Sequence, residues 1–356
     1  MKGWLRTFMG LALAALPALD ARATTPTFTS GPAVVSYPAG TAFPNTSTVV
    51  FGYSNGAMKV IPFVDSMFRD YTEVHTNLTG GYDGDPAAAY IVPGLPTIMN
   101  CGHSATGPGI YCIRGHVGNP GHYESAEVEP YRVGGGTFDP GTSPVLVHVV
   151  YQSADNLNLF ARGQNGQIWY ANYHQPSNSW NSWFQIPDLP GDTFSSDPAA
   201  WAYTPGDTVV MVCARTQLGA QIRCNQQQFG NGGTIFWAGW NTVPGQPSTA
   251  YKPALARGAG SVYLFGIRNV VSPNFQEWFT TFPVGGGSFA PFASVSGGSS
   301  GFNSGPTAVA STLPGVGPQV MTVGRRSDSA FWYAVGGPGD DGKTLTWRAW
   351  TKIDVP

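Results

Sequence analysis

The feature that most constrains this chain is a proline recurring at near-constant spacing. It follows a small or polar residue at Gly31-Pro32, Asp85-Pro86, Ser143-Pro144, Asp197-Pro198, Lys252-Pro253 and Gly305-Pro306. Successive prolines lie 54, 58, 54, 55 and 53 residues apart. Three copies share a preceding phenylalanine, in Phe28-Thr-Ser-Gly-Pro32, Phe194-Ser-Ser-Asp-Pro198 and Phe302-Asn-Ser-Gly-Pro306. A second anchor, aromatic-x-x-aromatic-x-x-Val/Ile, follows about 40 residues into each unit. Its clear copies are Trp180/Trp183/Ile186, Trp237/Trp240/Val243 and Trp347/Trp350/Ile353; weaker ones are Phe289/Phe292/Val295 and Phe68/Tyr71/Val74, with a degenerate copy at Tyr131 and Val133. A fixed period of this length marks one supersecondary unit that buries its faces only against its neighbours.

Inside each unit, β-branched and aromatic runs are bounded by Gly, Pro, Asn and Asp. In the third unit Val145–Tyr151, Leu157–Ala161, Ile168–Tyr173 and Trp180–Ile186 read as four strands. Asn165-Gly166 and Asn55-Gly56 mark hairpin turns that need positive φ. No stretch outside the N-terminal segment has the period of an amphipathic helix. Radial repetition of four short strands is the propeller pattern. The sequence therefore predicts an all-β fold, a six-bladed β-propeller of four-stranded antiparallel blades over 24–356. The repeats fall near 28–81, 82–138, 139–193, 194–248, 249–301 and 302–356. Strand periodicity places the first and third anchor residues on one face of the outer strand and the second on the other.

Residues 1–23 carry Lys2 and Arg6, an apolar run from Phe8 to Leu19 and a small-x-small site at Ala21-Arg22-Ala23. This predicts a cleaved secretory signal and a secreted or periplasmic protein. The apolar run is shorter than the roughly 20 residues a membrane span needs, and no later segment approaches that length, so membrane insertion is not expected. Only 11% of residues are charged and the net charge is −2. Nucleic acid is excluded as a partner, because neutralising phosphates takes a basic stripe. At 42% hydrophobic and 13% aromatic, the chain has ample material for a core.

Four cysteines occupy matching places in the second and fourth units: Cys101 and Cys112, then Cys213 and Cys224. Other units carry Phe51, Phe160, Phe265 or Val323 at the first of these places. A cross-strand apolar pair has been replaced by cysteines, which in an oxidising compartment predicts Cys101–Cys112 and Cys213–Cys224 disulfides. No metal site and no cofactor are expected.

Motifs for a nucleophile elbow, a phosphate loop or a zinc protease are missing. His116 and His122 lie close together in a Gly-rich stretch that reads as a surface loop or, alternatively, as a metal or acid–base site. Asp340-Asp341-Gly342-Lys343-Thr344 loosely matches the structural Asp-box turn of sialidase-like propellers. No catalytic residue is assigned. Carboxylates from different blades can still converge, which keeps a polysaccharide hydrolase or lyase as an alternative.

A basic residue recurs at the end of the second strand: Arg162, Arg215 and Arg325, with His103 in the second unit. Trp169 and Trp332 follow on the third strand, with Trp183, Trp240 and Trp350 on the outer strand. Arginine beside tryptophan suits a neutral sugar, because the guanidinium donates planar hydrogen bonds to hydroxyls while the ring stacks on C–H groups. The same pair also serves as packing between blades. In that case the protein is a structural or protein-interaction propeller without a sugar site.

The run Leu159-Phe-Ala-Arg162-Gly-Gln-Asn-Gly166-Gln-Ile-Trp169-Tyr, then Trp180-Asn-Ser-Trp183 and Asp197-Pro198-Ala199, resembles the repeat of bacterial propeller lectins of the Photorhabdus lectin type. It is more distantly similar to tectonin and fungal fucose-lectin propellers. The match is good in the third unit, fair in the fourth and sixth, and poor elsewhere. The best-known members of that type have seven blades, against six units here. The resemblance implies a non-catalytic protein whose partners are glycans, typically fucose or O-methylated sugars, held in clefts between adjacent blades. Its candidate sugar-binding residues are Arg162, Trp169 and Trp183, then Arg215 with Trp240, and Arg325 with Trp332 and Trp350.

Overall fold

Each repeat proline sits at or inside the innermost strand of one sheet: ahead of Ala33–Ser36, Val145–Tyr151, Ala199–Ala202, Ala254–Gly258 and Thr307–Leu313, and within Tyr82–Tyr90. This strand pairs on one side only, so a residue without an N–H costs the ladder nothing there. The computed structural model describes residues 27–354, apart from 37–45, 65–66, 69–70, 75–77, 93–94, 96, 118–122, 126–129, 152–153, 188, 203–208, 230–234, 259, 269–275, 285–286, 296–300, 314–316 and 339–344. Residues 1–23, expected to be a secretory signal, His122, and residues 340–344, expected to form a turn, fall outside the described residues.

The chain forms six antiparallel sheets in sequence order, a six-bladed β-propeller. In the third blade Val145–Tyr151 pairs with Ala154–Arg162, which pairs with Ile168–His174, which carries the outer segments. The other blades repeat this order. Among the described residues the only helical piece is a 3-10 turn at Gln175–Ser177, and no helix is long and apolar enough to cross a membrane.

The core lies between blades, because alternate side chains of each strand face opposite neighbours. Leu157, Leu159 and Ala161 pack toward the second blade, while Phe160 packs toward the fourth. Each buried large apolar side chain contributes roughly 2–3 kcal/mol.

The outer strand corrects the expected face pattern. It is interrupted in five of the six blades, as in Ser179–Trp180 then Phe184–Gln185, and Ile235–Trp237 then Asn241–Thr242. Trp180 and Trp183 both pack toward the preceding blade, and Ile186 toward the following one. Trp237, Trp240 and Val243 do the same, as do Trp347, Trp350 and Ile353. The break changes the phase of the two-residue period, so the first two anchor rings share a face.

Hairpin geometry differs between blades. In the first blade Asn55 (φ 53°) and Gly56 (φ 79°) are both left-handed, as a two-residue primed turn requires. In the third only Gly166 (φ 70°) is, and Gly163 N–H donates to the Gln167 carbonyl at 2.9 Å. That is a three-residue loop, which carries Gln164 and Asn165 outward. The disulfides Cys101–Cys112 and Cys213–Cys224 join directly opposed residues of one hairpin. They occupy the cross-strand place of Phe160 opposite Tyr170 and Phe265 opposite Phe279.

Among the described residues every sheet is built from strands consecutive in sequence, and the first and sixth blades meet directly. Phe28 N–H donates to the Ser329 carbonyl of the sixth blade at 3.0 Å, just as Phe194 N–H donates to Gly166 of the third at 2.8 Å. The first and last blades share one core cluster.

A central channel of about 480 Å³ runs along the inner strands, lined mainly by Pro, Ala and Val. At one mouth stand the residues that precede the six prolines. Lys252 Nζ lies 2.7 Å from Asp85 Oδ2, so the second and fifth blades, opposite one another in the ring, are joined across the axis. Gly31 N–H also donates to Asp85 Oδ1. Burial pushes the Asp197 carboxyl up in spite of Lys252 and Arg162 nearby.

Candidate functional site

Between the second and third blades lies a cleft of about 520 Å³, lined by Gly135, Gly136, Thr137, Phe138, Gln164, Asn165, Trp169, Ser182 and Trp183. Trp183 reaches it because the outer strand breaks after Trp180. Its indole N–H then donates to the Val133 carbonyl of the second blade at 2.8 Å. Its ring meets Phe138 edge-on, with centroids 4.6 Å apart. A Cβ at Gly134 or Gly136 would come within 2.9 or 2.8 Å of Trp183 Cδ1, so this approach needs glycine at both places. Arg132 donates to the Gly136 carbonyl at 3.2 Å and holds this loop.

Trp169 stands on the third strand, opposite Ala161. Its indole N–H points to Asn165 Oδ1 at 3.2 Å, and Asn165 Nδ2 donates to Gln185 Oε1 at 3.1 Å. Both indole N–H groups are thus used within the protein, which leaves ring faces to meet a ligand. Both tryptophans are half-buried. The rim supplies the amides of Gln164 and Asn165 and the hydroxyls of Thr137 and Ser182, and no charged residue lines the cleft. Such a site can stack an apolar face and satisfy several hydroxyls, which is what a neutral ligand with one apolar side needs.

The arginines lie elsewhere. Arg162 Nη1 donates to Asp139 Oδ2 at 3.1 Å, and its Nε lies 3.7 Å from Asp197 Oδ1. Arg215 Nη1 donates to the Thr249 carbonyl at 3.2 Å, and burial lowers its pKa. Arg325 Nη1 donates to the Phe28 carbonyl at 3.1 Å and Nε to Asn303 Oδ1 at 3.0 Å. All three tie the second strand to the segments that link blades. The structure therefore brings Trp169 and Trp183 together and places Arg162 outside the cleft lining.

Trp240 donates to the Pro187 carbonyl at 3.0 Å and packs on Phe194 with centroids 4.5 Å apart, repeating the Trp183 geometry. The place of Trp169 is taken there by Arg223. In the sixth blade Trp332 points its N–H at Asp328, and Trp350 meets Phe302 with centroids 4.7 Å apart. Sequence reasoning missed Gln164, Asn165, Ser182 and the Gly135–Thr137 loop. The Asn165-Gly166 turn was a usable signal for the first two. The loop belongs to another repeat and carries no motif of its own.

Among the described residues no group of three or more His, Cys, Asp or Glu is arranged to hold a metal. His103 lies 2.5 Å from Asp83, and His148 lies 2.8 Å from Asp155. Burial lowers the His148 pKa, with Asp155 acting against it.

No family model matches the sequence, and no curated protein matches it. Solved structures do. AofleA from Arthrobotrys oligospora superposes with a TM-score of 0.63 at 14% identity, over 93% of this chain and 88% of that one. The fucose-specific lectin from Aleuria aurantia gives 0.60 at 12% identity, over 93% and 99%. The BP39L lectin from Burkholderia pseudomallei gives 0.60 at 17% identity, over 91% and 84%. At these identities the likeness establishes a shared fold.

Proposed function

We propose that this chain is a carbohydrate-binding propeller with a neutral-sugar site between its second and third blades. The observation that carries this reading is the cleft lined by Trp169 and Trp183, whose indole N–H groups are used internally and whose rim is polar but uncharged. Similar propellers are described as lectins, one of them fucose-specific, which supports the same ligand class here. Fucose and O-methylated sugars fit first, since a methyl group enlarges the apolar face that an indole covers. The narrower kinship with Photorhabdus-type lectins rests on the third repeat.

At the channel mouth Asp85 is held by Lys252, and Asp197 lies beside Arg162. Residues 1–23 and the two disulfides support an extracytoplasmic location. A glycan array probed with the folded protein tests the reading. The expected result is binding to glycans ending in fucose or an O-methylated sugar. A blank array sinks it.

A further inference from the structure

The sixth blade repeats the aromatic pair of the third. Trp332 stands at the third-strand place of Trp169, and Trp350 at the outer-strand place of Trp183. One residue beside them differs. Gly163 follows Arg162 at the end of the second strand, whereas Arg326 follows Arg325. Arg326 Cζ lies 3.8 Å from the centroid of the Trp332 ring, 5.2 Å from that of Phe302 and 5.8 Å from that of Trp350.

We propose that Arg326 is a built-in occupant of the sixth-blade aromatic site, stacked where a sugar ring would stack in the third. Two aromatic pairs in the sequence then make one open cleft. A guanidinium that recruits a ligand must present its N–H edge. Here Nε and Nη2 are shielded from solvent and have no hydrogen-bond partner among the described residues. What Arg326 offers its neighbours is its flat face, which suits an indole. At Gly163 no side chain exists to do this, and Trp169 and Trp183 line open space. Burial also lowers the Arg326 pKa. The proposal rests on the sugar-binding reading for the meaning of the cleft; the stacking itself does not.

The test is 19F NMR of protein labelled with 5-fluorotryptophan, comparing the unmodified chain with Arg326→Gly and, as a milder change, Arg326→Ala. Each sample is measured in H2O and D2O, then titrated with methyl α-L-fucoside. In the unmodified chain the sugar should shift Trp169 and Trp183 but not Trp332 or Trp350. In the variants Trp332 and Trp350 should gain a solvent isotope shift and respond to the sugar, with an affinity within about tenfold of the third-blade site. If the sugar moves Trp332 and Trp350 in the unmodified chain, Arg326 is a ligand-contacting group and the proposal is overturned. Unchanged solvent shifts in both variants also overturn it. If no tryptophan responds to the sugar, the neutral-sugar reading fails, and the solvent shifts alone decide whether Arg326 covers the rings.

Discussion

The ring of Phe28 lies flat against that of Phe331, with centroids 3.8 Å apart and planes 12° from parallel. These residues belong to the start of the first repeat and the third strand of the last, so their contact closes the propeller. Phe28→Ala removes one of the largest fully buried side chains and should cost about 3–5 kcal/mol. Hydrogen exchange is expected to rise first in the facing strands of the first and sixth blades. Uniform loss of protection around all six blades would show that Phe28 is core filler rather than a clasp.

Trp183→Ala and Trp169→Ala each remove a lining ring while leaving the blade's inner strands intact. Each should weaken sugar binding by tenfold or more, equal to about 1.4 kcal/mol. Arg162→Ala should behave in the opposite way. It leaves Asp197 buried beside a lost cation and should lower stability by about 1–3 kcal/mol with affinity unchanged. Calorimetric titration beside urea unfolding separates the two. A large affinity loss in Arg162→Ala would return that residue to the site.

Mapping of a non-reducing digest should recover Cys101–Cys112 and Cys213–Cys224 only. Each bridge closes a short loop across one hairpin, and removing either pair should cost about 2–3 kcal/mol. Sugar affinity should hold, because neither bridge lines the cleft. The readout is the denaturation midpoint with and without reductant.

Glu277 is buried between the fifth and sixth blades, and burial raises its pKa from 4.5 to about 8. Thr322 Oγ1 lies 2.6 Å from Glu277 Oε1 and 3.2 Å from the Thr307 carbonyl. Thr322 donates to Glu277, which acts against the rise without offsetting the burial. Above the unfolded pKa the native state holds a proton that the unfolded chain has released. The resulting stability is full below about pH 4.5 and is lost as pH rises through about 8, at no more than about 1.4 kcal/mol per pH unit. Glu277→Gln should flatten this slope, as followed by melting temperature between pH 5 and 9. An unchanged slope would assign the dependence to another group.

Much of the fold was legible because its unit is local. Pro32 to Pro306 mark strands that tolerate a missing N–H, and hairpin cysteines stand opposite one another at matching offsets. The face of each tryptophan was not legible. Trp183 lies three residues after Trp180, so an unbroken strand would turn it to the other side. The interruption after Trp180 carries no sequence signal as clear as a glycine turn.

The sequence by itself determined the number of blades, their strand order and the disulfide pairing, since each follows from contacts within one repeat. Only the tertiary structure decided which residues share a cleft. The Gly134–Gly136 loop approaches Trp183 across a blade boundary, and Arg162 turns to Asp139 and Asp197 in the linkers on either side of its blade. Arg326 fills the place that Gly163 leaves open. Those relations join residues from different repeats or compare one repeat with another. A period in the sequence reports the unit but not how two units meet.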